Sequence, residues 1–286
     1  MIELLAPAGD MEKLKTAVRF GADAVYFGGK FSLRAAAGNL SVDEIKEAMN
    51  FLHKNNCKGY MTLNIYAHNY DIDYLADYLR QIKGIPIDAF LISDPGVFIL
   101  VREILGDVDI HISTQANTTN YLAAEFWINN GATRIVAARE MSLKELKGLR
   151  DNIPEKIEIE AFVHGAMCMS YSGRCLLSNY MTGRDANKGA CTHPCRWKYS
   201  LVEEERPGEY YPVEENERGT YILNSRDLCM IDSLPELIDA GVSSLKIEGR
   251  NKSAYYVATI ISAYRHALDS YIANPSAYKF DKKWMD

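Results

Sequence analysis

The sequence predicts an α/β protein and, within that class, a (β/α)8 TIM-like barrel. Three observations point there. Eight short runs rich in β-branched and apolar residues recur along the chain. Amphipathic helical patterns lie between them, several opened by Ser or closed by Gly or Asn. The first seven runs begin 20 to 36 residues apart, room for one helix between each pair, as repeated strand–helix units require. A doubly wound open sheet is the runner-up, but its G-x-G-x-x-G after the first strand is missing.

The first strand is expected in "IELLAPAG" from Ile2 and the second in "ADAVYFGG" from Ala22. "SVDEIKEAMNFLHKNN" then reads as a helix capped by Ser41, followed by a strand in "KGYMTLNI" from Lys58. The helix "YLADYLRQIKG" leads to "DAFLISD" from Asp88, and the fifth strand follows in "DIHISTQA" from Asp109. "YLAAEFWINNG" is the next helix and "TRIVAAR" from Thr133 the next strand. "SLKELKGLRDN" precedes the seventh strand, "KIEIEAFVHG" from Lys156. The eighth, "SSLKIEGR", begins only at Ser243, after the helical pattern "MIDSLPELIDAG". Residues 166–240 therefore read as an insertion leaving the C-terminal end of strand seven, the barrel face that carries active sites. Within it, "WKYSLVEEE" and "RGTYILNS" look like extra strands. A long helix, "SAYYVATIISAYRHALDSYIAN", ends the barrel, and the abrupt tail "KFDKKWMD" suggests a longer parent with a further C-terminal domain.

The 286 residues, 48% hydrophobic and 24% charged, suit a single barrel domain over 1–286. The net charge of −6 excludes a global clamp for nucleic acid, so any RNA contact needs a local basic patch. No apolar run reaches membrane-spanning length, and "MIELLAPAGD" lacks the basic start and apolar core of a signal peptide. A cytoplasmic protein with reduced thiols is expected.

Four of the six cysteines, Cys168, Cys175, Cys191 and Cys195, fall inside the insertion, spaced C-x6-C, C-x15-C and C-x3-C. Thiolates are soft ligands that suit zinc or iron–sulfur centres. Paired zinc ligands usually stand two to four residues apart, and C-x6-C is wide for that. A four-cysteine cluster tolerates irregular spacing better. A bound metal centre is expected, iron–sulfur or zinc. Cys57 and Cys229 read as ordinary buried cysteines.

Alternation adds a second signal, because strand residues two apart share a face. Glu158, Glu160, Phe162 and His164 should point into the barrel, as should Lys246, Glu248 and Arg250, and His111, Ser113 and Gln115; Tyr60, Thr62 and Asn64 share a face. Ionisable groups inside a barrel must pair or meet a polar ligand. Glu158 and Asp109 read as low-lying structural partners. His164, Lys246, Glu248 and Arg250, near C-terminal strand ends, read as functional.

The run "EAFVHGAMCMSYSGRCLLS" resembles the signature of the peptidase U-32 family, the collagenase-like proteins, at Glu160, Phe162, Gly165, Cys168, Gly173, Cys175 and Ser178. "ELLAPAGDMEKLKTAVRFGADAVYFGG", "STQAN" at Ser113 and "LKIEGR" at Leu245 are similar to that family too. The resemblance implies a barrel-like catalytic domain and a 4Fe–4S cluster on Cys168, Cys175, Cys191 and Cys195, with zinc as the alternative. It implies oxygen-independent hydroxylation of a transfer-RNA wobble uridine, a ribosomal-RNA cytidine or a quinone ring, with prephenate as hydroxyl donor in the RNA branches. The sequence looks most like the transfer-RNA branch, whose proteins usually continue into a further C-terminal domain.

Roles follow from that resemblance and the residue chemistry. A dicarboxylate such as prephenate needs cations, for which Lys246, Arg250, Arg139 at the close of strand six, and Arg34 in "KFSLRAAAGNL" are candidates. His164 is a candidate proton shuttle beside Cys168, unless Glu160 simply satisfies it. Asn64 and Gln115 are placed to read a base edge or a donor hydroxyl. Glu248 would orient Lys246 or act as a base. For RNA, "NKGACTHPCRWKYS" offers Lys188, Arg196 and Lys198 around Trp197 and Tyr199, or else an ordinary strand with one buried Trp. The competing functions are a peptidase, for which neither H-E-x-x-H nor G-x-S-x-G is present, and a non-catalytic zinc-stapled partner subunit.

Overall fold

The computed structural model describes residues 2–32, 38–168, 170–172, 174–197, 200–201, 204–209, 211–212 and 227–284. Strands and helices alternate from the first residues: β1 (Glu3–Ala8), α1 (Met11–Arg19), β2 (Ala24–Gly28), α2 (Val42–Lys54), β3 (Lys58–Leu63), α3 (Asn69–Ile82) and β4 (Ala89–Ile92). Then come α4 (Pro95–Leu105), β5 (Ile110–Ile112), α5 (Tyr121–Asn129), β6 (Arg134–Val136), α6 (Leu143–Asp151) and β7 (Glu158–Gly165). The insertion carries α7 (Leu177–Thr182), β8 (Ser200–Leu201), β9 (Tyr211–Pro212) and β10 (Leu228–Cys229). The chain closes with α8 (Leu234–Asp239), β11 (Ser244–Ile247) and α9 (Ala254–Ala273).

β1 to β7 pair in sequence order and in parallel, and β11 pairs with both β7 and β1, closing an eight-stranded barrel. All eight runs expected as strands are strands. Alternation builds the walls. Leu4, Val25, Met61, Ile92, Ile135 and Leu245 face outward into the shell shared with Leu14, Ile45 and Leu79 of the helices. Leu5, Tyr26, Tyr60, Leu91, Val136 and Phe162 face inward as a second, smaller cluster. Ser41 and Ser142 each close a full capping box with Glu44 and Glu145, fixing where α2 and α6 begin.

The barrel floor is polar. Arg134 of β6, 1% exposed, reaches Glu3 at 2.6 Å, Glu158 at 2.5 Å and Glu160 at 3.0 Å, and also donates to Ser244 at 3.3 Å. Burial works against its charge, but Glu3 and Glu160 more than offset that, and its pKa lies above arginine's usual value. The same pairing overcomes burial at Glu3 and holds that carboxyl below its usual value. The Tyr60 hydroxyl donates to Glu3 at 2.6 Å and its phenol is pushed up, by burial first and then by Glu3. Glu158 thus takes the structural role expected of it, whereas Asp109 is exposed.

β7 departs from simple alternation. Its pairing with β11 shifts register between Lys246 and Ile247, so Ile247 stands opposite His164. This bulge turns His164 out of the barrel, where its ring packs against Tyr256 at 6.1 Å and Tyr264 at 5.6 Å, both on α9. The inward orientation expected of His164 is therefore corrected. The start of β7, Glu158–Glu160, pairs with β6, while its end, His164 and Gly165, pairs antiparallel with β10. Cys229, on β10, is exposed rather than buried; Cys57 is buried, its thiol donating to the Ala22 carbonyl at 3.2 Å. β8 lies in "WKYSLVEEE", where an extra strand was expected, but its partner β9 lies outside both expected runs, and "RGTYILNS" falls outside the described residues.

Candidate functional site

One cavity, about 130 Å³ in volume, opens at the C-terminal ends of the strands and is roofed by the insertion. Its barrel side mixes Tyr26, Leu91 and Phe162 of the inward cluster with polar groups near the strand tips. Asn64 and Gln115 line it, as do Arg139, Lys246, Glu248 and Arg250. Cys168, Cys175, Cys191 and Cys195 line it from the roof.

Lys246 sits deepest. It is 3% exposed, and its ammonium lies 2.5 Å from Glu160 and 4.4 Å from the centre of the Tyr26 ring. Burial, opposed by Glu160, holds its pKa below lysine's ordinary value. One layer up, Arg139 stacks its guanidinium 3.9 Å from the centre of the Phe162 ring, pairs with Glu248 at 3.3 Å and donates to Ser172 of the insertion at 2.7 Å. Arg139 thereby ties barrel to roof.

Arg250 is held flat across the mouth of β2. It donates to Ser32 at 2.6 Å and to Asn39 at 2.9 Å, and Ser32 shares a 2.5 Å hydrogen bond with Thr62. Gly28 makes this possible: a Cβ there would overlap the Arg250 guanidinium and come within 2.5 Å of Asn39 Oδ1. Gly165 has a related task. With φ at +103°, it turns the chain from β7 into the insertion, and a Cβ would meet the Glu248 carbonyl at 2.5 Å.

"STQAN" is a 3-10 turn over Thr114–Ala116 closed by Asn117 in the left-handed region, φ 54°, which Asn tolerates well. The turn aims Gln115 at the cavity, where the Asn64 amide donates to it at 3.0 Å and Ser113 donates to the same oxygen. Asn117 also donates to the Ser172 carbonyl at 3.4 Å, a second tie between barrel and roof.

The insertion brings its four thiols to one wall. Burial, then the neighbouring sulfurs of Cys168, Cys191 and Cys175, push the Cys195 thiol up, with Arg196 opposing. The Cys191 sulfur accepts the His193 backbone N–H at 3.4 Å. Among the described residues no three of His, Cys, Asp or Glu already stand in a metal-holding arrangement. The donor set nevertheless fits a soft metal centre: four sulfurs face one space, with carboxylates kept to the barrel side and paired there.

His164 is absent from the cavity wall, and burial, opposed by Asp227, holds its imidazole below the usual histidine value. Arg34 lies outside the described residues, as do Lys198 and Tyr199. Arg196 pairs with Asp227 at 3.0 Å, Lys188 pairs with Asp71 at 3.3 Å, and Trp197 is 43% exposed, not buried. Ser172, Ser32 and Gly28 shape the site and carry no signal beyond their small size. His111, by contrast, was legible as inward; it is buried below the cavity, edge-on to Tyr60 at 4.8 Å, and burial with Arg134 nearby drives its pKa well below normal.

Residues 9–286 match the model of "Peptidase family U32". The chain belongs to this family. Among U32 relatives, "tRNA hydroxylation protein P1" of Bacillus subtilis (strain 168) is 43% identical, over 99% of this chain and 67% of that protein. "tRNA hydroxylation protein P" of Escherichia coli (strain K12) is 39% identical, over 93% of this chain and 68% of that protein. The chain thus spans about two thirds of the length of these relatives. A solved U32 peptidase shares the fold with a TM-score of 0.54 at 14% identity, covering 86% of this chain and 92% of that one.

Proposed function

We propose that this U32 chain hydroxylates a base of RNA, the wobble uridine of a transfer RNA, to give 5-hydroxyuridine at the mouth of its barrel. Relatives of 39% and 43% identity named for tRNA hydroxylation support the reaction class. The observation that carries the reading for this site is that four thiols and the cations Arg139, Lys246 and Arg250 line a single cavity. Cys168, Cys175, Cys191 and Cys195 would hold a 4Fe–4S cluster. When bound, it would supply redox or Lewis-acid chemistry without molecular oxygen.

The chain's own groups account for binding and orientation. Arg139 and Arg250 are fixed by partners on both sides, so they present pre-organised N–H donors to the carboxylates of a donor such as prephenate. Lys246, paired with Glu160 at 2.5 Å, adds a third basic group at the base of the cavity. Gln115 and Asn64, locked by one another, offer an amide pair of fixed orientation to a base edge or a hydroxyl. Glu248 is the carboxylate at the rim of the strands and the candidate proton acceptor there. No helix among the described residues is long and apolar enough to cross a membrane.

The runner-up, a cysteine peptidase, would set Cys168 beside His164 or Cys191 beside His193 as nucleophile and base; the β7 bulge turns His164 toward α9, whereas Cys191 and His193 both line the cavity. Two measurements test the reading. Protein purified without oxygen should be brown, with iron and sulfide in equal amounts, and should lose both in single Cys→Ala variants of the four. Stoichiometric zinc in a colourless protein would overturn the cluster. Mass spectrometry of transfer-RNA nucleosides should show 5-hydroxyuridine derivatives lost when the gene is deleted, and an unchanged profile would overturn the reaction.

A further inference from the structure

Residues 166–198 carry five basic residues, Arg174, Arg184, Lys188, Arg196 and Lys198, against one acid, Asp185, in a chain whose net charge is −6. The rest of the insertion, residues 199–240, carries eleven acids against three basic residues, so the positive charge is confined to the part of the roof that holds the four thiols. Aromatic surface accompanies it. Tyr180 on α7 is 89% exposed, and Tyr70, at the start of α3, is 63% exposed. Arg174 and Arg184 flank α7 and are exposed as well.

Tyr70 is held ready rather than loose. Its ring lies 5.3 Å from that of His68, the planes only 15° apart. Its hydroxyl accepts a hydrogen bond from Lys188, whose ammonium also pairs with Asp71 at 3.3 Å. Imidazole stacks on the phenol and the Lys188 ammonium lies 4.4 Å from the ring centre, yet the side chain remains largely exposed. Lys188 directly follows Ala186 and Asn187, which line the cavity. The stack therefore stands beside the mouth, at the seam where barrel and insertion meet.

We infer that this seam is a docking platform for unpaired RNA nucleotides, with Tyr70 and Tyr180 stacking the bases that flank the target while Arg174, Arg184 and Lys188 meet the phosphates. The inference rests on the proposed function and extends it to a second surface. Aromatic rings take any base by its π-face and select unpaired loops over duplex, whose bases are already stacked. Basic side chains interleaved with them give the salt-dependent part of the affinity. The occupant is thus a single-stranded loop, not a helix.

The experiment uses the whole 286-residue chain and two fluorescent probes, an RNA hairpin with an unpaired loop and a fully paired duplex of the same composition. Wild-type protein should prefer the hairpin. Tyr70→Ala with Tyr180→Ala should weaken hairpin binding about five- to a hundredfold for each base lost and leave duplex binding unchanged. The Tyr→Phe pair should bind as wild type does. Lys188→Gln should lower the slope of log affinity against log salt by about 0.7. Equal hairpin affinity in wild type and the double Ala variant would overturn the platform. So would an Ala variant that alters self-association of the protein in place of RNA affinity. The two proposals fail separately. RNA binding by these rules in a protein that hydroxylates nothing sinks the function and spares the platform; hydroxylation at wild-type KM by the double Ala variant does the reverse.

Discussion

Replacing Arg134 by Met tests whether the barrel floor is a buried ion cluster that must stay charged. The guanidinium serves three carboxylates of unequal exposure. Glu158 is 47% exposed and would rehydrate at little cost. Glu3, 13% exposed, would keep only neutral partners, Tyr60 and Ser244. Glu160, fully buried, would keep Lys246 alone. Breaking one buried pair costs about 3–5 kcal/mol, and the loss here falls mainly on Glu3. At ~2.1 cal/mol/K of unfolding entropy per residue, a chain of 286 residues should lose about 5–8 °C of melting temperature. Urea and thermal unfolding across pH provide the assay. In the wild type the depressed pKa of Glu3 gives stability that is complete above 4.5 and is lost as pH falls through the lower folded value. In the variant only the Tyr60 and Ser244 hydrogen bonds oppose burial, and Glu3 takes up its proton sooner. The gap between the two proteins should therefore narrow below pH 4.5. A gap under ~1 kcal/mol at neutral pH, the size of an exposed pair, or one that stays constant down to pH 4, would refute the reasoning.

Other perturbations separate floor from cavity. Lys246→Met should cut RNA hydroxylation by about a hundredfold or more yet cost less stability than Arg134→Met, because Glu160 keeps Arg134 at 3.0 Å; nucleoside mass spectrometry and melts read the two effects. Gly28→Ala should displace the Arg250 guanidinium and raise the KM for the small-molecule donor while far-UV circular dichroism stays native. His164→Phe should keep activity within a few-fold, since the ring lies among aromatics outside the cavity; loss of activity in a folded variant would restore it as a proton shuttle. His111 is buried with its pKa well below 6.5, so its unfolded form binds the extra proton and stability must fall as pH drops below 6.5, by up to about 1.4 kcal/mol per pH unit. His111→Gln should flatten that slope in urea titrations.

The barrel was legible because its strands obey a two-residue rhythm that the eye can follow, and because Ser41 and Ser142 announce their helices. The same rhythm placed Lys246, Glu248, Arg250, Asn64 and Gln115 at one mouth. It failed at His164 because a bulge inserts a residue without any mark in sequence: "AFVHG" reads as regular whether or not the ladder slips. Arg134 and Glu3 share the inward parity of Val136 and Leu5 but lie at the opposite end of the barrel from the cavity, where parity alone assigns them no partner. Cys229 was misjudged because apolar neighbours on a two-residue strand do not bury it. The partners of Arg250 and Arg139 come from Ser32, Asn39 and Ser172, distant in sequence and chemically unremarkable, so only folding brings them into view.

The rung that joins Gly165 to Leu228 has an evolutionary corollary. The chain departs from the wall and rejoins it at adjacent points, so the two ends of the excursion are already side by side whatever lies between them. Doubling the length of such an excursion costs only ~0.6 kcal/mol in chain entropy. The barrel is therefore nearly blind to the size of its own roof. Lineages are free to lengthen, trim or re-ornament that cap, and with it the choice of macromolecule admitted, while the charged well beneath stays as it is.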